Sequence, residues 1–191
     1  MARFLAFFKP YAVLSQFTDT AGRRTLKDFI PVPGVYAAGR LDYRSEGLLL
    51  LSDDGPLIQR LTDPRFEHTK TYLVQVEGMV TAPAVRRLRE EIVLPGLQTR
   101  PVQVEVIPEP DLPARPEPVR SYHPTSWLKL VLQEGKKHQV RRMTAAIGLP
   151  TLRLVRVAIG SLRLGSLQPG EWRNLTSTEI AQLRSETGLI R

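Results

Sequence analysis

Ala38-Gly39-Arg40-Leu41-Asp42-Tyr43-Arg44-Ser45-Glu46-Gly47 runs directly into Leu48-Leu49-Leu50-Leu51 and then Ser52-Asp53-Asp54-Gly55. Four leucines in a row are too few for a helix and suit a strand buried on both faces. Val35-Tyr36-Ala37-Ala38, just before, can form a second short strand that ends at Gly39. Arg40, Asp42, Arg44 and Glu46 are thereby crowded onto a loop between two core strands, with a glycine at each edge. A rigid scaffold presents chemistry on loops of this kind. The same residues also suit a solvated loop of Arg–Asp pairs.

The chain has 191 residues, 42% hydrophobic and 24% charged, enough for one domain or two small ones with a real core. No apolar run approaches the length of a membrane helix, and Met1 to Phe8 lacks the features of a signal peptide. Phe4 to Phe8 reads instead as a first strand, cut off by Lys9-Pro10. Without cysteine there is no disulfide, thiolate nucleophile or Cys-based zinc site. The histidines show no ligand spacing, so no metal is expected, and the composition fits a cytoplasmic protein. Net charge is +8. Gly135 to Gly170 contains no acidic residue but carries Lys136, Lys137, Arg141, Arg142, Arg153, Arg156 and Arg163. Basic charge gathered in this way is the footprint of a polyanion binder and favours nucleic acid; the alternative is an idle basic surface.

Working outward, Val13 to Phe17 reads as a second strand and Thr25 to Ile30 as a turn or two of helix, stopped by Pro31-Val32-Pro33-Gly34. Asp54 can cap a helix from Pro56 to Leu61. Thr69 to Glu77 alternates, with Tyr72, Val74 and Val76 on one side, and predicts a strand closed by Gly78. Thr81 and Pro83 open a helix to about Glu91, whose Arg86, Arg87 and Arg89 suit a solvated face. Val102 to Ile107 predicts a strand. Residues 108–124 begin with a proline-rich stretch, Pro108 to Pro118, that has no apolar face and reads as a long excursion within one domain. Further strands are expected over Ser126–Leu132, Thr151–Ile159 and Trp172–Leu175, with a helix over Lys136–Ile147. Thr176 and Glu179 form a capping box for a last helix.

Gly39-Arg40-Leu41-Asp42, with Ser45, Gly47, Leu48 and Leu49, resembles the G-R-L-D-x-x-S-x-G-L-L signature of the RsuA/RluA-type pseudouridine synthases. Two more segments resemble the same family: Lys70-Thr71-Tyr72 its K-x-Y motif, and Glu134-Gly135-Lys136-Lys137-His138-Gln139-Val140-Arg141-Arg142-Met143 its E-G-[KR]-x-[HR]-Q-[IV]-[RK]-R-M segment. Lys9-Pro10 with Val13 and Leu14 is similar to the first motif. The likeness runs from Phe4 to about Leu175, and Phe7 to Asp19 looks most like the short RluE-like branch, which modifies large-subunit ribosomal RNA.

The resemblance implies an α+β pseudouridine synthase fold: a mixed, mostly antiparallel sheet with flanking helices and a central cleft. It also implies one catalytic domain over residues 1–191 without an S4 domain, needing no cofactor and acting on ribosomal RNA as an isomerase. Asp42 would be catalytic, Tyr72 would stack on the uracil, Arg40 would fill the gap in the RNA stack, and Lys136 would pair with Asp42. Tyr72 by itself equally suits a core aromatic, and Lys136 a loop cation in water. Lys9, Lys70, Lys137, His138, Gln139, Arg141 and Arg142 are the expected RNA contacts. No heptad or exposed apolar seam is visible, so a monomer is expected. Competing readings are a non-catalytic RNA-binding or ribosome-assembly protein, a small-molecule phosphate enzyme using a metal, and a synthase acting on small-subunit rRNA or tRNA.

Overall fold

The computed structural model describes residues 2–120 and 122–189. The leucine run belongs to β3 (Glu46–Ser52), and with β1 (Phe4–Lys9) it forms the most deeply buried part of the molecule. Every residue of both strands is buried, as expected of strands covered on two faces. Their period of two sends side chains to separate cores. Phe4, Ala6 and Phe8 with Leu48 and Leu50 pack under α1 (Gly55–Thr62) and α4 (Ser177–Glu186). Leu5 and Phe7 with Leu49 and Leu51 face the other way, onto Leu26 and Ile30 around a 3-10 turn at Leu26–Asp28.

The other strands are β2 (Tyr36–Ala37), β4 (Lys70–Glu77), β5 (Val93–Leu94), β6 (Leu97–Gln98), β7 (Gln103–Ile107), β8 (Thr125–Leu132), β9 (Thr151–Ile159), β10 (Leu162–Arg163) and β11 (Trp172–Asn174). The main sheet runs β11-β1-β3-β9-β4-β8-β7, with β10 added to β9 and β2 to β3. Among the described residues its only parallel pairing is β3 with β9. A third core lies beneath β4, β8 and β7, where Tyr72, Val74, Val76, Leu128 and Leu130 meet Leu88 of α2 (Ala82–Arg89) and Val140 and Met143 of α3 (Gln139–Ala146). The fold is thus α+β, with a mixed, mostly antiparallel sheet.

The seam between β3 and β9 positions everything that follows. These strands pair only at Glu46–Val155 and Gly47–Arg156; the far end of β3 pairs with β2 instead. Gly47 has φ +103°, and a Cβ there would lie 2.2 Å from the Arg156 carbonyl oxygen. Only glycine allows both that backbone conformation and the close approach of β9. The second glycine of the opening stretch is therefore a packing requirement of the seam.

Several boundaries differ from the sequence-based expectation. Val13 to Phe17 is not a strand: Ala12 turns the chain with φ +56°, and Ser15 is spent on holding the Asp42 loop. Glu46 belongs to β3 rather than to the loop, and is buried. The helix expected from Lys136 begins at Gln139, after His138 has adopted a left-handed conformation. The β5–β6 hairpin and β10 were too short to leave a periodic signal. The caps at Asp54, Thr81 and Thr176 are made as expected, the last as a full capping box.

Candidate active site

Asp42 lies on the loop between β2 and β3, immediately before the seam, with its side chain about one-third exposed (32%). The loop is held from both sides. Ser15 Oγ accepts from the Leu41 amide (3.0 Å) and donates to the Leu41 carbonyl (2.8 Å). Ser45 N–H donates to the Asp42 carbonyl (2.9 Å), closing a turn around the carboxylate-bearing residue. From α3, Arg141 Nη2 donates to the Arg44 carbonyl (2.8 Å). Buried Ser15 and half-buried Arg141 thus pin a polar loop whose own side chains remain available. Arg40 is exposed and reaches Gln16 Oε1 at 3.2 Å.

The basic atom within 4 Å of the Asp42 carboxylate, among the described residues, is His138 Nδ1 at 3.7 Å. His138 reaches it because residues 134–139 form a polar clasp. Glu134, nearly buried, accepts from Gln139 Nε2 (2.6 Å) and the Arg100 amide (2.8 Å); the Lys136 amide donates to Gln139 Oε1 (3.0 Å). The clasp fixes the approach to α3 and leaves His138 at φ +54°, a conformation that is costly outside glycine and is retained where the surroundings enforce it.

Lys136 does not pair with Asp42. Its ammonium lies 3.2 Å from Glu134 Oε2 and donates to the Gln98 carbonyl, because the segment ahead of α3 turns it toward the β5–β6 hairpin. The cation from this segment whose charge is coupled to Asp42 sits one turn into the helix. Burial pulls the Arg141 guanidinium below its usual pKa, and Asp42 is the foremost charge opposing that pull.

Several expected RNA contacts are spent inside the molecule. Lys9 is wholly buried at the end of β1, donating to the Val13 (2.7 Å) and Pro10 (2.9 Å) carbonyls. Burial drives its pKa down to about 7, against the opposing pull of Glu46 and Asp42. Lys70 is half-buried and donates to the His68 carbonyl (3.0 Å); burial and the neighbouring Arg156 bring it to about 8. Gln139 is buried in the clasp, and Arg142 binds the Pro95 and Gly96 carbonyls of the β5–β6 turn. Tyr72 packs in the same core cluster as Leu41 and Val140, at 9% exposure. Lys137 and His138 are exposed.

Sequence reading missed two elements of the site. One is Ser15, which carries no periodic or charge signal. The other is the ion pair between Glu46 and Arg153, whose Nη2–Oε2 distance is 2.9 Å with both side chains at least nine-tenths buried. Arg153 also donates to the Pro113 carbonyl (2.7 Å), tying the proline-rich stretch to the seam. Arg156, beside it on β9, donates through Nε to the Leu48 carbonyl (2.8 Å).

Residues 3–146 match the family model described as RNA pseudouridylate synthase. The chain is 52% identical over 176 residues to ribosomal large subunit pseudouridine synthase E of Vibrio vulnificus, covering 91% of this chain and 75% of that protein. It is 55% identical over 170 residues to the protein of the same name from Xanthomonas campestris, covering 86% and 91%. A crystal structure of a pseudouridylate synthase superposes with a TM-score of 0.82 at 32% identity, covering 96% of this chain and 74% of that one. In sequence and in the arrangement of its sheet, the chain belongs to the RNA pseudouridylate synthase family.

Proposed function

We propose that this chain isomerises a uridine of large-subunit ribosomal RNA to pseudouridine, with Asp42 as the catalytic residue. The observation that carries the proposal is the placement of Asp42: partly exposed, on a loop held by Ser15 and Arg141, where the two halves of the sheet meet. The relatives named for large-subunit RNA supply the substrate class. The nine-stranded sheet supports reading the described residues as one catalytic unit, and a ribosomal RNA substrate supports reading it as a cytoplasmic protein. No helix among the described residues is long and apolar enough to cross a membrane. We read the chain as a monomer.

The reaction breaks the N1–C1′ bond, turns the uracil, forms C5–C1′ and transfers the C5 proton to N1. Atoms and electrons balance within the nucleotide, so neither oxidant nor reductant enters. Extracting the base costs a few kcal/mol, least where the RNA is already unpaired. Asp42 acts on the ribose, by adding to C1′ or by taking the 2′ proton. Arg141 holds the Asp42 loop through the Arg44 carbonyl and sets its positive charge beside that loop, the part the resemblance assigned to Lys136. Exposed Arg40 occupies the space the uridine leaves, Tyr72 supports the base from the core side, and Lys137 and His138 border the entry.

Pseudouridine mapping of ribosomal RNA from cells lacking the gene, rescued with wild type or Asp42→Asn, tests this reading. One large-subunit site lost and restored only by wild type is the expected result. Loss at a small-subunit or tRNA site would replace the substrate. Rescue by Asp42→Asn, or no site lost, would overturn the catalytic role.

A further inference from the structure

Residues 108–120 carry five prolines in the stretch Pro108 to Pro118 and read in sequence as an unanchored excursion. The structure holds Leu112 to Arg115 down at three points. Leu112 packs against the core formed by β1, β3, α1 and α4. The Pro113 carbonyl accepts from Arg153, itself locked to Glu46 at the seam. The Arg115 guanidinium lies 4.4 Å over the Tyr11 ring and donates to the Leu152 carbonyl at 3.5 Å. Prolines limit the conformations available to the unfolded segment, so ordering such a strap costs less than ordering a flexible loop. A stiff strap with its arginine held over an aromatic ring is a preorganised surface.

The strap roofs a groove of about 300 Å³, lined by Tyr11, Arg44, Arg115, Arg120, Arg141 and the Thr151–Leu152 edge of β9 among others. Among the described residues no carboxylate lines it. Arg120 is neutralised by Glu77 at 2.9 Å, but Arg44, Arg115 and Arg141 have no carboxylate within 4 Å among the described residues. These three guanidiniums are close enough that Arg44 and Arg115 both weigh against the charge on Arg141. Like charges held together cost stability, and an anion placed between them relieves the repulsion. Arg44 and Arg141 join the groove to the Asp42 loop, Arg44 being two residues from the carboxylate in sequence.

We propose that the proline-rich strap closes a second RNA subsite, in which Arg44, Arg115 and Arg141 hold a backbone phosphate of the strand whose uridine enters at Asp42. Guanidinium forks suit a phosphate better than lysines do, since each can offer two parallel N–H donors. The subsite rests on the reading that the chain acts on RNA. It adds an element that the motifs do not contain, because neither Arg115 nor the strap belongs to any of them.

The test is the salt dependence of binding to a single-stranded oligouridylate for wild type, Arg115→Gln and Arg44→Gln, with KM for transcribed large-subunit rRNA measured in parallel. Removing one arginine from the phosphate should make the slope of log K against log salt shallower, by up to ~0.7 on a single strand, and KM should rise. Arg44→Gln spares the strap and leaves the carbonyl that Arg141 uses, so it decides alone if thermal unfolding shows Arg115→Gln misfolded. Unchanged slopes in folded variants would overturn the subsite, whether or not pseudouridine forms. Reduced slopes with no pseudouridine made by wild type would leave the subsite standing and overturn the proposed function instead.

Discussion

Two groups of cations flank the β3–β9 seam, and they have opposite fates. On the inner side Lys9, Arg153 and Arg156 are at least nine-tenths buried, and their donors turn onto carbonyls and the Glu46 carboxylate, except Arg156 Nη2, which finds no partner among the described residues. On the outer side Arg40, Arg44, Lys137 and His138 are exposed, with Arg141 half-buried between the two groups. In composition the groups look alike. Their difference lies in the partner each finds far along the chain: Arg153 meets Glu46 across 107 residues, whereas Arg44 and Arg115 meet other arginines. Much of the basic excess that suggested nucleic acid therefore builds the site, and a smaller share faces what binds there.

The strongest way to break this contrast is to unpair the inner group. Glu46→Ala leaves Arg153 charged and buried, and should cost about 3–5 kcal/mol in urea unfolding. The Glu46→Leu/Arg153→Met double substitution should recover most of that loss, since a well-packed apolar pair can replace a buried ion pair. If Glu46→Ala is neutral, the inner cations are not held by that carboxylate.

The next effect separates the two cations that competed for Asp42. Arg141→Gln should lower kcat roughly 100-fold, the scale of losing one preorganised donor or charge in a reaction centre. Lys136→Gln should change kcat much less, because its ammonium is committed to Glu134 and Gln98. Single-turnover rates on the mapped RNA check both, and the reverse order would restore Lys136 to Asp42.

The smallest effect, when read over the single step from about pH 7 to 8, is a pH dependence within the inner group. An unfolded lysine keeps its proton to about pH 10.5, while native Lys9 releases it near 7. The unfolded state then binds more protons across that window, so stability rises with pH, by at most about 1.4 kcal/mol per pH unit. Below pH 7 both states are protonated and the slope vanishes. Lys9→Met removes the titrating group, so the stability of wild type relative to the variant should grow from pH 7 upward. A neutral amine still has two N–H groups for the Pro10 and Val13 carbonyls, so deprotonation leaves both satisfied. A flat difference would mean that Glu46 and Asp42 keep the ammonium charged.

Local chemistry was legible where a period or a cap encodes it. The alternation of Tyr72, Val74 and Val76, the unbroken burial of Leu48 to Leu51 and the Thr176–Glu179 box are properties of a few neighbouring residues, and each appears in the structure. Asp42 was legible through the motif around it. Ser15 was not, because a lone serine reveals a role only when Leu41 is brought against it. The proline-rich stretch looked idle for the same reason: its anchors are Arg153, Tyr11 and Leu152, all distant in sequence.

Local sequence encoded the longer strands β1, β3, β4, β7, β8 and β9, the glycines at the edges of the Asp42 loop and the family to which they belong. Tertiary structure decided which cations face outward, that Lys136 serves Glu134 while Arg141 serves the Asp42 loop, and that the strap roofs an arginine groove. Hydrophobic period is written residue by residue along the chain. The use of a charge depends on which group folding places within a few ångströms of it, and in water or against RNA the same guanidinium would have looked identical.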